Sequence, residues 1–111
     1  MRPFLESYPY GSQRGALAPP PSDAPVGVVL NPGVSRTVAL PAGARFVAMS
    51  FTGDAWVRFG TASVTAAVPA GLVADGSAPE LNPAARRIPD DATHVALVAE
   101  AAAKGSLAFW S

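Results

Sequence analysis

The chain has 111 residues, eight of them basic and eight acidic, with one histidine and no cysteine. That length fits one domain around one core, and the balanced charge removes the global field that would draw the chain to nucleic acid or an anionic membrane. The missing thiols exclude disulfides, thiolate catalysis and cysteine-ligated zinc, while a charged fraction of 14%, against a usual figure of about 25%, leaves a largely neutral surface suited to burial in an assembly.

Arg2 is followed by Pro3, Glu6, Pro9 and Gly11, where a signal peptide needs an unbroken apolar run, and no stretch approaches the ~20 residues of a membrane span. The expectation is a soluble protein made inside the cell. Residues 1–25 read as an extended arm, rich in proline and carrying Phe4, Leu5, Tyr8 and Tyr10. The stretch from Ala18 to Pro25 predicts a polyproline II spacer of roughly 25 Å that holds this aromatic tip away from the body. A disordered tail is the alternative; four large apolar side chains within seven residues favour an arm that docks on a neighbouring subunit.

From Val26 onward short apolar runs alternate with Pro and Gly every eight to twelve residues, the signature of an all-β sandwich or barrel. Val26 to Leu30 predicts a first strand. Asn31-Pro32-Gly33 predicts a type II turn, with glycine where positive φ is required. Val34 to Leu40 alternates as a strand with Val34, Val38 and Leu40 toward a core, Pro41-Ala42-Gly43 turns the chain, and Arg45 to Phe51 sets Val47, Met49 and Phe51 on one face. Thr52-Gly53-Asp54 reads as a hairpin turn returning through Ala55 to Phe59. Val64 to Val68 is a further predicted strand, and Ala74 to Pro83 a long connection. Around His94 to Ala99 the alternation returns. The Glu100 to Lys104 segment is a strong local helix former, yet it is too short to stand alone and stops at Gly105, so it reads as a hairpin loop with at most one helical turn. Gly105 to Trp110 is the last strand.

One pattern is written twice. Leu30-Asn31-Pro32, Arg36, Leu40-Pro41-Ala42-Gly43-Ala44 and Val47-Ala48-Met49 recur as Leu81-Asn82-Pro83, Arg86, Ile88-Pro89-Asp90-Asp91-Ala92 and Val95-Ala96-Leu97. Trp56 to Phe59 then aligns with Leu107 to Trp110. In the second copy Ala84 replaces the turn glycine, which predicts a type I turn there. The fold implied is all-β, a small jelly-roll-like β-sandwich over 26–111 built from two related halves, 30–60 and 81–111, preceded by the arm 1–25.

No catalytic constellation accompanies the repeat. His94 is the lone histidine, stands where the first copy has Phe46, and reads as a surface or inter-subunit residue. Asp90-Asp91 is the one adjacent carboxylate pair and occupies a turn, where aspartate is favoured for bonding nearby N–H groups; a bound ion or a glycan-hydrolysing pair is the sharper alternative. Trp56 near Asp54 would suit a stacked sugar. Arg36, Arg86 and Arg87 would suit phosphate, but ion pairs on sheet edges, where charge also blocks aggregation, are the simpler reading. No enzyme activity, cofactor, metal or nucleic-acid partner is implied. Trp56 and His94 remain as candidate surface contacts.

The stretch from Leu30 to Trp110 resembles small virion-associated proteins of tailed bacteriophages. The resemblance rests on Leu-Pro-Ala-Gly-Ala before a strand, on Trp56-Val57-Arg58-Phe59-Gly60 followed by Ala66-Ala67-Val68-Pro69, and on Asp75 to Pro83 leading to Thr93-His94-Val95. It implies a structural protein of the particle, such as a head decoration, cement or fibre-base protein, located in the virion and contacting the major capsid protein or other virion proteins. By analogy with local three-fold lattice positions it implies a homo-oligomer, a trimer in preference. A carbohydrate- or receptor-binding module of a head or tail fibre, with Trp56 as platform, is the alternative. No catalytic residue is carried over, and the arm lies outside the resemblance.

Overall fold

The computed structural model describes residues 1–4 and 18–111, and every regular element among them is a β-strand. The strands are β1 (Ala24–Leu30), β2 (Arg36–Ala39), β3 (Phe46–Phe51), β4 (Trp56–Gly60), β5 (Glu80–Leu81), β6 (Ala85–Arg87), β7 (His94–Val98) and β8 (Ala103–Trp110). They form two four-stranded antiparallel sheets, ordered β1-β8-β3-β6 and β2-β7-β4-β5. Leu-, Val- and Phe-bearing positions spaced two apart bury one face of each sheet. A single cluster takes Val28, Val47, Met49, Leu107 and Phe109 from the first sheet and Val57, Val95 and Leu97 from the second. The arrangement is β-sandwich-like, with its core between the layers.

The two halves are interleaved. Replacing each strand by the one four places along the chain turns β1-β8-β3-β6 into β5-β4-β7-β2, which is the second sheet. The hydrogen bonds at the sheet ends repeat as well. Leu40 N–H donates to the Thr93 carbonyl as Ile88 N–H does to that of Arg45; Arg45 N–H donates to Trp110 as Thr93 N–H does to Gly60. Equivalent turns close with Ala44 N–H on Pro41 and Ala92 N–H on Pro89, both at 3.1 Å. The second needs no positive φ, so Asp90-Asp91 can stand where the first turn requires Gly43 at φ +82°.

The register corrects the alignment of the last strands by one residue. Met49 faces Leu107 and its counterpart Leu97 faces Val57. Val57 therefore matches Leu107, and Phe59 matches Phe109. Pairing Trp56 with Leu107 would put an outward side chain against an inward one, since a one-residue slip exchanges the faces of a strand.

Four further expectations are revised. Thr52-Gly53-Asp54 is not a hairpin turn, because β3 already has both edges occupied, by β8 and β6, and β4 has both occupied, by β7 and β5. The segment instead crosses between sheets, as does the Glu100 to Ala102 stretch between β7 and β8. No helical turn forms in that stretch: Ala103 is buried and paired with Leu30, and Lys104 accepts the Thr52 N–H at its carbonyl and donates its own N–H to Thr52 Oγ1, so tertiary pairing overrides local helix propensity. Val64 to Val68 joins no sheet. Its alternation is nevertheless real: Val64 and Ala66 are buried against Ala96 and Val98, with Trp56 and Val68 beside them, so the segment covers the outer face of the second sheet. Side chains hold it there, through Ala66 N–H to Ser35 Oγ at 3.0 Å and Thr37 Oγ1 to the Val64 carbonyl at 3.0 Å. Val34, expected to face the core, is 57% exposed because β2 begins only at Arg36.

The Asn31-Pro32-Gly33 turn forms as expected, with Val34 N–H on the Asn31 carbonyl and Gly33 at φ +70°. The second Leu-Asn-Pro differs. There Asn82 itself takes φ +48°, so the expected type I turn gives way to a left-handed asparagine. Its backbone N–H reaches the Ala55 carbonyl at 2.8 Å, its Oδ1 accepts the Ala55 N–H at 2.9 Å, and its Nδ2 donates to Asp54 Oδ1 at 2.8 Å.

Gly105 has a steric role. It pairs with Phe51 across the β3–β8 ladder, and an added Cβ would run into the Phe51 ring and lie 2.7 Å from the Ser50 carbonyl oxygen. Gly105→Ala should destabilise the fold by about 1–3 kcal/mol through overpacking, read as a lower urea midpoint. Asn82→Ala should cost about 1–3 kcal/mol, because the Ala55 N–H loses its acceptor inside the protein; Asn82→Asp, which keeps an Oδ acceptor, should lose less in the same titration.

Candidate interaction surfaces

The residues singled out as contacts fall in three places. Leu5, Tyr8 and Tyr10 lie outside the described residues. Phe4 is described, and it packs on its own subunit: its ring stacks on Phe46 with centroids 4.7 Å apart and meets Trp110 edge-on at 5.7 Å. The expectation that the spacer holds this aromatic away from the body is corrected for Phe4. A short backbone clasp explains the position, with Phe4 N–H donating to the Ser111 carbonyl and Ser111 N–H to the Arg2 carbonyl.

The proline-rich stretch fastens the same corner. Trp110 Nε1 donates to the Pro20 carbonyl at 2.8 Å, giving the buried indole its partner, and Arg2 Nη1 donates to the Pro21 carbonyl at 2.8 Å. Asp23 Oδ1 accepts the Arg2 N–H at 3.0 Å. That hydrogen bond is the main reason the Asp23 carboxyl titrates below the usual aspartate range, helped by the N-terminal ammonium nearby. Ser22 Oγ donates to the Phe109 carbonyl and accepts the Phe109 N–H, which ends the β1–β8 ladder with a side chain. Proline runs carry no donors, so a serine among them that satisfies a neighbouring strand was the available sequence signal for this anchor.

Trp56 and His94 both sit on the outer side of the second sheet, on neighbouring strands but at opposite ends of the pairing, opposite Val98 and Gly60 respectively. Trp56 is half-buried and packs against the cluster of Val64, Ala66 and Val98. His94 Nδ1 lies 2.8 Å from Thr93 Oγ1 at the end of β7. Asp54 is engaged by Asn82 and does not form a pair with Trp56. Asp90 and Asp91 are exposed in their turn. Among the described residues no group of three or more His, Cys, Asp or Glu side chains converges as a metal site, and no helix is long and apolar enough to cross a membrane.

The arginines separate. Arg86 makes a two-pronged ion pair with Glu80, through Nη2 at 2.6 Å and Nε at 3.1 Å, joining an edge of one sheet to an edge of the other. This pairing depresses the Glu80 carboxyl and raises the Arg86 guanidinium from their usual ranges. Arg87 lies 5.8 Å over the Phe46 ring and, with Arg45, Asp90, Pro3 and Ser111, lines an open cleft of about 460 Å³ beside the clasp. Arg36 stands on the β2 edge, away from both.

Phe4→Ala should loosen this corner without unfolding the body, because the main core lies between the sheets; the expected readout is a red-shifted tryptophan emission with a small change in melting temperature. The clasp should also weaken in acid. Asp23 has a folded pKa below its unfolded value, so its contribution is present above the unfolded value and is lost as pH falls through the folded one; the Phe4 and Trp110 NMR shifts should move together over that range. Comparison with protein-family models, with curated proteins and with solved structures finds no match for this chain.

Proposed function

We propose that the chain is a structural protein of a tailed-phage particle, a head decoration or cement protein that binds other virion proteins and acts without catalysis. The observation that carries this reading is the strand order. An eight-stranded pair of sheets ordered β1-β8-β3-β6 and β2-β7-β4-β5 fits a jelly roll, a double-sheet architecture used by viral capsid and lectin domains. Such an analogy concerns scaffold and leaves function to surfaces. Those surfaces support an assembly role: the middle of the outer side of the first sheet carries Pro25, Gly27, Ala48, Ser50, Ala85, Ser106 and Ala108, small uncharged side chains, with Val29 and Lys104 toward one end and Phe46, Trp110 and Arg87 toward the other. The resemblance over Leu30 to Trp110 supplies the particle.

The N-terminal segment is proposed as a second contact, through Leu5, Tyr8 and Tyr10. Phe4 then acts as its root on the body. Removing all of 1–25 would also remove Ser22 and Pro20 from β8, so substitution is the cleaner test. Tyr8→Ser with Tyr10→Ser should leave the melting temperature unchanged and reduce co-sedimentation with purified phage heads at least tenfold. Quantitative mass spectrometry of particles should find the parent protein in hundreds of copies; absence from particles would overturn the reading.

A further inference from the structure

Among the described residues four strands have a free edge, β1 and β6 in the first sheet and β2 and β5 in the second. Unpaired edges are templates for another chain, and proteins normally blunt them by shortness or charge. Three are blunted here. β5 has two residues including Glu80, β6 has three including Arg86 and Arg87, and β2 has four beginning with Arg36. β1 is the exception: it has seven residues, and no charged residue occurs between Asp23 and Arg36.

The direction of its free groups follows from Phe109, whose N–H and carbonyl both reach Ser22 on the β1 side. Alternation then points Leu107, Gly105 and Ala103 toward β1, and their partners Val26, Val28 and Leu30 back toward β8. The N–H and carbonyl groups of Gly27 and Val29 therefore face outward. Val29 is 54% exposed, and an added Cβ on Gly27 would meet nothing within 4 Å.

We propose that the β1 edge pairs with the β1 edge of a second copy of this chain, antiparallel, fusing two first sheets into one eight-stranded sheet. The choice of a second copy rests on charge. Antiparallel self-pairing of β6 about Arg86 would set that arginine against its own copy, and at β2 or β5 it would bring two Arg36 or two Glu80 side chains into one short seam. β1 alone of the four brings no charged side chain to such a seam. Centring the pair on Val28 sets Gly27 opposite Val29 of the other copy, so both residues' outward amides and carbonyls find partners. Pro25, which has no N–H to offer, falls at the end of the strand where none is lost. The contact is isologous and gives a two-fold pair in place of the trimer suggested by lattice analogy. It is one part of the assembly reading proposed above, yet it is measured on the purified chain alone, so loss of particle binding with the dimer intact would fault only that reading.

Sedimentation equilibrium of the full chain across micromolar to sub-millimolar concentrations should give twice the 11.3 kDa chain mass. Gly27→Lys with Val29→Lys places two exposed charges on the edge and should shift the mass to that of one chain with an unchanged circular-dichroism spectrum, while Ser50→Lys, on the same sheet face but away from the edge, should remain dimeric. As a check independent of any variant, amide exchange at Gly27 and Val29 in the parent should slow as concentration rises while β6 amides do not change. A parent that stays monomeric, a doubly charged variant that stays dimeric, or concentration-independent exchange at Gly27 and Val29 would each overturn the proposal.

Discussion

The first sheet depends on the pairing of the chain's first strand with its last. β8 lies between β1 and β3, and from it Leu107 and Phe109, both fully buried, enter the layer between the sheets. β1 has no other strand partner among the described residues, and β3 has besides it only the three-residue β6. This makes the residues that secure the far end of β8 structural rather than decorative. Ser22, the Pro20 carbonyl and the Phe4 ring all converge on Phe109 and Trp110. A strand that other strands depend on from both sides is protected from fraying by the same segment that composition alone marks as a tail.

The two outer faces are treated differently, and that difference is the clearest guide to function. The second sheet is roofed by Val64 to Val68, so β7 is buried on both sides, with Val95 and Leu97 facing the core and Ala96 and Val98 facing the roof. The first sheet has the clasp at one end, Val29 and Lys104 at the other, and small side chains between. Small residues make a flat surface with little side-chain entropy to lose on contact, which suits a protein that meets other proteins over broad areas.

Much of this was legible from residue periodicity. The positions of β1, β3, β4, β7 and β8, the core faces of β3 and β7, the Gly33 turn and the doubling of the chain follow from spacings of two and from proline and glycine, whereas β5 falls inside what reads as a connection. Sheet membership was not, because an apolar alternation says which face is buried and never which neighbour is paired. Val47, Met49, Val57 and Phe59 would bury equally well in a hairpin or across two layers. Val64 to Val68 misled for a related reason: its alternation reports burial, and burial under a loop reads like burial in a ladder. The role of Asn82 was hidden because its partners, Asp54 and Ala55, are distant in sequence and nothing local distinguishes it from Asn31. Of the contact residues, Phe4 was recognisable as an aromatic anchor but its target was not, and Trp56 was recognisable as an outward aromatic but its packing beside Val64 to Val68 was not.

The interleaving of the halves has a consequence for how such a chain could arise. Each sheet takes two strands from 30–60 or its lead-in and two from 81–111, so neither half holds a sheet of its own. A polypeptide of half this length could complete the same layers only by exchanging strands with an identical partner. Its duplication and fusion would turn that mutual exchange into a single chain, with Ala74 to Pro79 as the join.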